Sequence, residues 1–154
     1  MIISIIEKKL ICTATGVIGG IVSAAFGGWD TSMTVLIVFM GIDYLSGIVV
    51  AGVFHNSNKT ESGTLNSRAG AKGLFRKGGM LAIVLVASLL DMLIGTSFVR
   101  DAVVIAYIVN EAISIIENAG LMGIPIPAPI VKAIDVLKSR TENGGSDSGN
   151  VSDT

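Results

Sequence analysis

Charge is what this sequence has least of. Asp, Glu, Lys and Arg make up 15% of the chain, against about a quarter in an ordinary soluble domain. That is too thin a polar skin for a chain whose residues are half apolar. Net charge is −1, so no overall field points to nucleic acid. Histidine and cysteine occur once each, as His55 and Cys12. A single cysteine cannot form an internal disulfide, and its place in an apolar run assigns it to small-residue packing. His55 has no neighbouring Cys or acid at ligand spacing, so no zinc or iron site is expected. The glycines at 70–79 are not followed by the Lys-Ser/Thr pair of a phosphate loop. With no nucleophile–base arrangement either, neither an enzyme nor a cofactor is expected.

What is present is long apolar runs. Four stand out, at residues 10–26, 32–54, 78–97 and 98–116. A hydrocarbon core of about 30 Å takes around 20 apolar residues as helix, so the composition predicts an all-α integral membrane protein with about four spans. Each Leu, Ile, Val or Phe near mid-bilayer favours insertion by about 0.3–0.6 kcal/mol, and an Asp costs about 2.5–3.5. The second run therefore gains on the order of 5 kcal/mol and outweighs Asp43. The fourth carries Asn110 and Glu111 and comes out near zero, so its insertion needs help from neighbouring helices. The first run has a signal-like pattern, with Lys8 and Lys9 before it and Ser23, Ala24 and Ala25 at its end. Because another span follows directly, it reads as a retained helix.

Ten of the eleven basic residues fall before the first run, between the second and third, or after the fourth. The exception is Arg100. The positive-inside rule places that basic side, and both termini, in the cytoplasm. Arg68, Lys72, Arg76 and Lys77 read as a cytoplasmic basic loop. Past the fourth run, prolines and glycines break the helix at 120–129, residues 130–140 form a short amphipathic helix, and the polar tail 141–154 is expected to be disordered.

Ionisable groups inside a span are functional-site candidates by default. Asp43 has Ser46 and Gly47 beside it. Asp91 lies among small residues, and Glu111 has Asn110 and Ser114 for neighbours. Such faces serve to glue helices, to line a water-filled lumen in an oligomer, or to relay protons or ions. Gly16, Gly20 and Ala24, at four-residue spacing, suit close helix packing.

Several ordered pieces resemble a known family. Gly28-Trp29-Asp30 leads to Asp43-Tyr44-Leu45-Ser46-Gly47. Ser67, Gly70, Gly73 and Lys77 follow, then Asp91, then Asn110-Glu111 with Ser114-Ile115 and Glu117-Asn118, and last Gly123-Ile124-Pro125-Ile126-Pro127. Over roughly residues 28–137 this order is similar to the phage-lysis and toxin-secretion holins, a family that includes a clostridial toxin-export holin. Ser46 stands where many relatives have Thr and keeps the hydroxyl. The resemblance implies a non-enzymatic protein of the bacterial cytoplasmic membrane that assembles with copies of itself and opens lesions for an endolysin or toxin. Its partners would be the bilayer, itself and that cargo, with no nucleic acid. A small membrane scaffold or accessory subunit, or an ion transporter, are the competing readings.

Overall fold

The computed structural model of the chain describes residues 2–55 and 67–143. Among these are five helices and no strand: α1 (Ile2–Ala25), α2 (Thr31–Gly52), α3 (Ser67–Ile94), α4 (Phe98–Leu121) and α5 (Ala128–Asn143). Two of them, α2 and α3, are long and apolar enough to cross a membrane. The expected tail from 144 onward lies outside the described residues.

Helix boundaries differ from the apolar runs because hydropathy and helix propensity are different properties. The third run begins at 78, yet α3 begins at Ser67. Arg68, Lys72 and Arg76 are good helix formers, so the expected basic loop is instead the first turns of α3. In the same way α4 continues past 116 through Glu117 and Asn118 to Leu121. The expected amphipathic helix starts two residues early and reaches Asn143.

The centre is a three-helix unit of α2, α3 and α4. In α2 the buried positions are Met33, Leu36, Met40, Asp43, Val50 and Ala51, the first four at a three-four spacing that puts one stripe of the helix inward. α3 buries Lys77, Met80, Val84, Ala87 and Asp91 in the same rhythm, and α4 buries Arg100, Val104, Ile108, Glu111 and Asn118. Met33, Leu36, Met40, Met80, Val84, Val104 and Ile108 form one apolar cluster midway along the helices. α2 and α4 run parallel, α3 runs against them, and α5 folds back on α4, its Leu137 touching the cluster. Among the described elements, α1 packs only on α3. Gly16, Gly20 and Ala24 are exposed, and a methyl group built at either glycine would meet nothing within 4 Å. Cys12 is exposed as well, not packed as its apolar setting led one to expect.

One end of the unit is closed by a clasp around Arg100. Its Nε donates to Phe26 O at 2.6 Å, Nη2 to Gly28 O at 3.2 Å, and Nη1 to Asp30 Oδ2 at 2.8 Å and Asp101 Oδ1 at 3.1 Å. Arg100 thereby pins the α1–α2 turn to the start of α4. Asp91, from α3, accepts from the backbone N–H groups of Val99 at 3.1 Å and Arg100 at 2.7 Å and from Thr96 Oγ1. The first N–H groups of a helix lack internal partners. Ser97 at the cap position gives them no side-chain bond, so a carboxylate from the preceding helix caps α4. Asp30 caps α2 through Met33 N at 2.8 Å.

The clasp requires glycine at 27. Gly27 has φ +75°, and a Cβ there would lie 2.9 Å from Ser88 Oγ and 3.1 Å from Arg100 Cδ. Gly28 has φ +97° with open space around it. Gly28→Ala should therefore cost only the left-handed backbone term of about 1–2 kcal/mol. Gly27→Ala should add an overpacking loss of about 1–3 kcal/mol. Thermal unfolding in detergent measures both, and equal losses would refute the close approach at Gly27.

The Arg100 guanidinium beside Asp30 holds its carboxyl below the usual carboxylate range, against the opposing effect of partial burial. A depressed folded value means that the bridge contributes fully above the unfolded pKa, about 3.9, and is lost as pH falls through the lower folded value. The Asp30 side chain is 48% exposed, so the contribution is under about 1 kcal/mol. Asp30→Asn keeps the capping oxygen, and its unfolding midpoint should fall less between neutral pH and pH about 3 than that of the parent chain.

Candidate functional site: an interhelical ionic knot

The opposite end of the three-helix unit holds the second polar layer. Lys77, from α3, points its ammonium between two acids. Its Nζ lies 2.8 Å from Asp43 Oδ2 on α2 and also donates to Glu111 Oε2 on α4. All three residues are buried. Asn118, one helical stretch further along α4, donates through Nδ2 to Asp43 Oδ1 at 3.1 Å, to the Asp43 carbonyl at 3.3 Å and to Ser46 Oγ at 2.9 Å. Ser46 Oγ donates in turn to the Asp43 carbonyl. One lysine is thus shared by two carboxylates from two other helices, and an amide supplies further donors to the first of them.

The surrounding sequence makes room for this. Ser67, Gly70, Gly73 and Lys77 fall on one face of α3, since steps of three and four residues stay on one side of a helix. A methyl built at Gly73 would come 3.8 Å from Tyr44 Cε2, and one at Gly70 would come 3.7 Å from the Tyr44 hydroxyl. These are ordinary contact distances, and they place the Tyr44 side chain of α2 beside the Gly70–Gly73 face of α3, next in sequence to Asp43. The adjacent residues Asp43-Tyr44 and the Ser-Gly-Gly-Lys spacing are two halves of a single helix–helix contact.

Of the acids expected to matter, Asp43 and Glu111 come together here with Ser46. Asp91 belongs to the clasp at the far end. Gly47, Asn110 and Ser114 are half-buried and make no side-chain bond among the described residues. Arg68, Lys72 and Arg76 are exposed on α3. Lys77 is the correction. It is not a residue of a basic loop but the centre of the knot, because α3 has already begun ten residues earlier. Helical period was the available signal: Lys77 continues the stripe of Met80, Val84, Ala87 and Asp91. Arg100, the one basic residue off the basic side, is buried for the same reason, sharing a stripe with Val104 and Ile108. No group of His, Cys, Asp and Glu among the described residues could hold a metal ion.

In chemical terms the knot is a lock. Removing one partner from a buried ion pair costs about 3–5 kcal/mol, because the charge left behind is uncompensated. In hydrocarbon no solvent can take its place. The three helices can separate here only where water or another polar surface replaces the contacts.

A model of the bacteriophage holin family matches residues 20–139. An uncharacterised protein of Halalkalibacterium halodurans is 36% identical over 85% of this chain and 96% of its own length. One of Clostridium perfringens is 35% identical over 87% of this chain and 96% of its own. A probable holin of Bacillus phage phi105 is 32% identical over 70% of this chain and 74% of its own. No solved structure matches.

Lys77→Met should lower stability in detergent by about 3–5 kcal/mol. Asn118→Ala should cost about 1–3 kcal/mol for the acceptors it abandons. Adding Asp43→Asn and Glu111→Gln to Lys77→Met removes the orphaned charges and should recover most of the loss. If the triple variant unfolds as readily as Lys77→Met alone, the loss does not come from unpaired charge.

Proposed function

The chain belongs to the bacteriophage holin family, and on that premise we propose that it is a holin which assembles with copies of itself in the bacterial cytoplasmic membrane and opens lesions there. It is a membrane protein in a family that is not one of enzymes. In this reading α1 to α4 all span the bilayer, with two short external turns and both termini in the cytoplasm. The lesions pass a cell-wall-degrading endolysin, or a toxin, at a set time.

One observation carries this reading: the buried Lys77–Asp43–Glu111–Asn118 knot in a chain whose described residues are mostly helix. An apolar layer separates knot from clasp within the single copy. Each copy nonetheless stores two sets of charged side chains on the inner faces of α2, α3 and α4. Polar groups within a bilayer favour helix association, because association hides them. A bundle that opens can transfer those faces from its own interior to a water-filled space among several copies. The closed monomer is then the accumulating form, and the knot sets how long it stays closed.

Inducible expression in a bacterium tests the reading. Membrane potential should hold through an interval of accumulation and then collapse abruptly, with growth arrest. Undisturbed growth at high levels of the protein in the membrane would overturn it. Asp43→Asn keeps the shape at the knot while removing one charge from Lys77. Its collapse should come earlier than that of the parent chain at equal membrane level. Unchanged timing would show that the charge of Asp43 does not set the interval.

A further inference from the structure

The first turns of α3 carry a feature that neither the knot nor the clasp uses. α3 has 28 residues, about 42 Å at 1.5 Å per residue. The hydrocarbon core is about 30 Å, so the helix is roughly a dozen ångström too long for it. Asp91 and the clasp sit at one end, so the excess falls at the other, where Lys72 and Arg76 lie. Both are exposed, and neither pairs with a carboxylate among the described residues. α3 itself contains no acid before Asp91. Beside them Phe75 is 82% exposed, an apolar ring at the depth where headgroups meet acyl chains.

Helical period extends this stripe. From Lys72 and Arg76, steps of three or four residues lead to Gly79, Ile83, Val86 and Leu90. All four are exposed and lie on a face separate from the buried Lys77–Met80–Val84 stripe. A methyl built at Gly78 or Gly79 would meet nothing within 4 Å, so the track is shallow just below the cations. Two unpaired cations at headgroup level thus stand at the top of a continuous apolar track.

We propose that this stripe binds an anionic phospholipid of the cytoplasmic leaflet, its phosphate on Lys72 and Arg76 and an acyl chain along Gly79, Ile83, Val86 and Leu90. The site rests on the reading of α3 as a membrane span with its basic end in the cytoplasm. Each cation near an anionic bilayer surface is worth about fivefold in affinity, and the pair roughly thirtyfold.

The test uses the full chain purified in detergent, titrated with phosphatidylglycerol or phosphatidylcholine, with retained lipid counted by mass spectrometry. Phosphatidylglycerol should bind in preference. The double variant K72Q/R76Q should lose that preference by roughly thirtyfold, while Lys72→Arg with Arg76→Lys keeps it. Lys132→Gln with Lys138→Gln, on α5, should leave it intact. Preference that survives in K72Q/R76Q, or that disappears with the α5 changes instead, would overturn the assignment. So would displacement of the lipid by equimolar glycerol phosphate, which would mark a general anion site with no use for the apolar track. Collapse of membrane potential is scored separately in the same variants. Lipid preference without lesions would count against the proposed function alone, and lesions without lipid preference against this site alone.

Discussion

The structure depends on one ammonium group. Lys77 joins α3 to both α2 and α4, and no other described side chain touches charged partners on two different helices of the central unit in this way. Dispersion among Met33, Leu36, Met40, Val84 and Val104 gives the helices reason to adhere. It does not fix their rotation, since methionine and valine stripes tolerate sliding and lipid tails compete for the same surface. The ion pairs fix it. A turn of any helix that withdrew Asp43, Lys77 or Glu111 would strand a charge in hydrocarbon.

The clasp at the other end works on different groups. There the partners are mainly backbone: Phe26 O and Gly28 O accept from Arg100, and the open N–H groups of α4 donate to Asp91. The clasp therefore holds turns and helix ends, while the knot holds helix faces. Between them lies the apolar layer. This polar–apolar–polar order along the bundle explains why a helix as poorly apolar as α4 can have a place in it. Arg100, Glu111 and Asn118 are a liability for α4 alone; Arg100 is matched by the α1–α2 turn, and the other two by groups on neighbouring helices.

Much of this was legible in the sequence. The apolar runs located α2 and the later part of α3, and the cost of intramembrane charge singled out Asp43, Asp91 and Glu111. What hydropathy could not do was treat basic residues as part of a helix. Averaging over a window, it began the third run only at Gly78 and left Lys77 among loop residues, although its three-four spacing to Met80 and Val84 was in plain view. Partners were beyond it altogether. That Asp43 meets Lys77 while Asp91 meets the start of α4 depends on α2 and α4 being parallel with α3 against them, which no local pattern states. The spacing of Ser67, Gly70, Gly73 and Lys77 marked the family resemblance, but the contact of Gly70 and Gly73 with Tyr44 on another helix is not written in that spacing.

The positions of the knot residues along the chain have a consequence for how the protein is made. Asp43 and Lys77 are 34 residues apart, and so are Lys77 and Glu111. At about 5–20 residues per second of synthesis, the ribosome needs roughly two to seven seconds to supply each next member. A newly inserted α2 therefore waits that long with its carboxylate unmatched, and the pair it then forms with α3 waits as long again for Glu111 and Asn118. α4 is made last, and it meets Lys77 and Asp43 already set out as partners for Glu111 and Asn118.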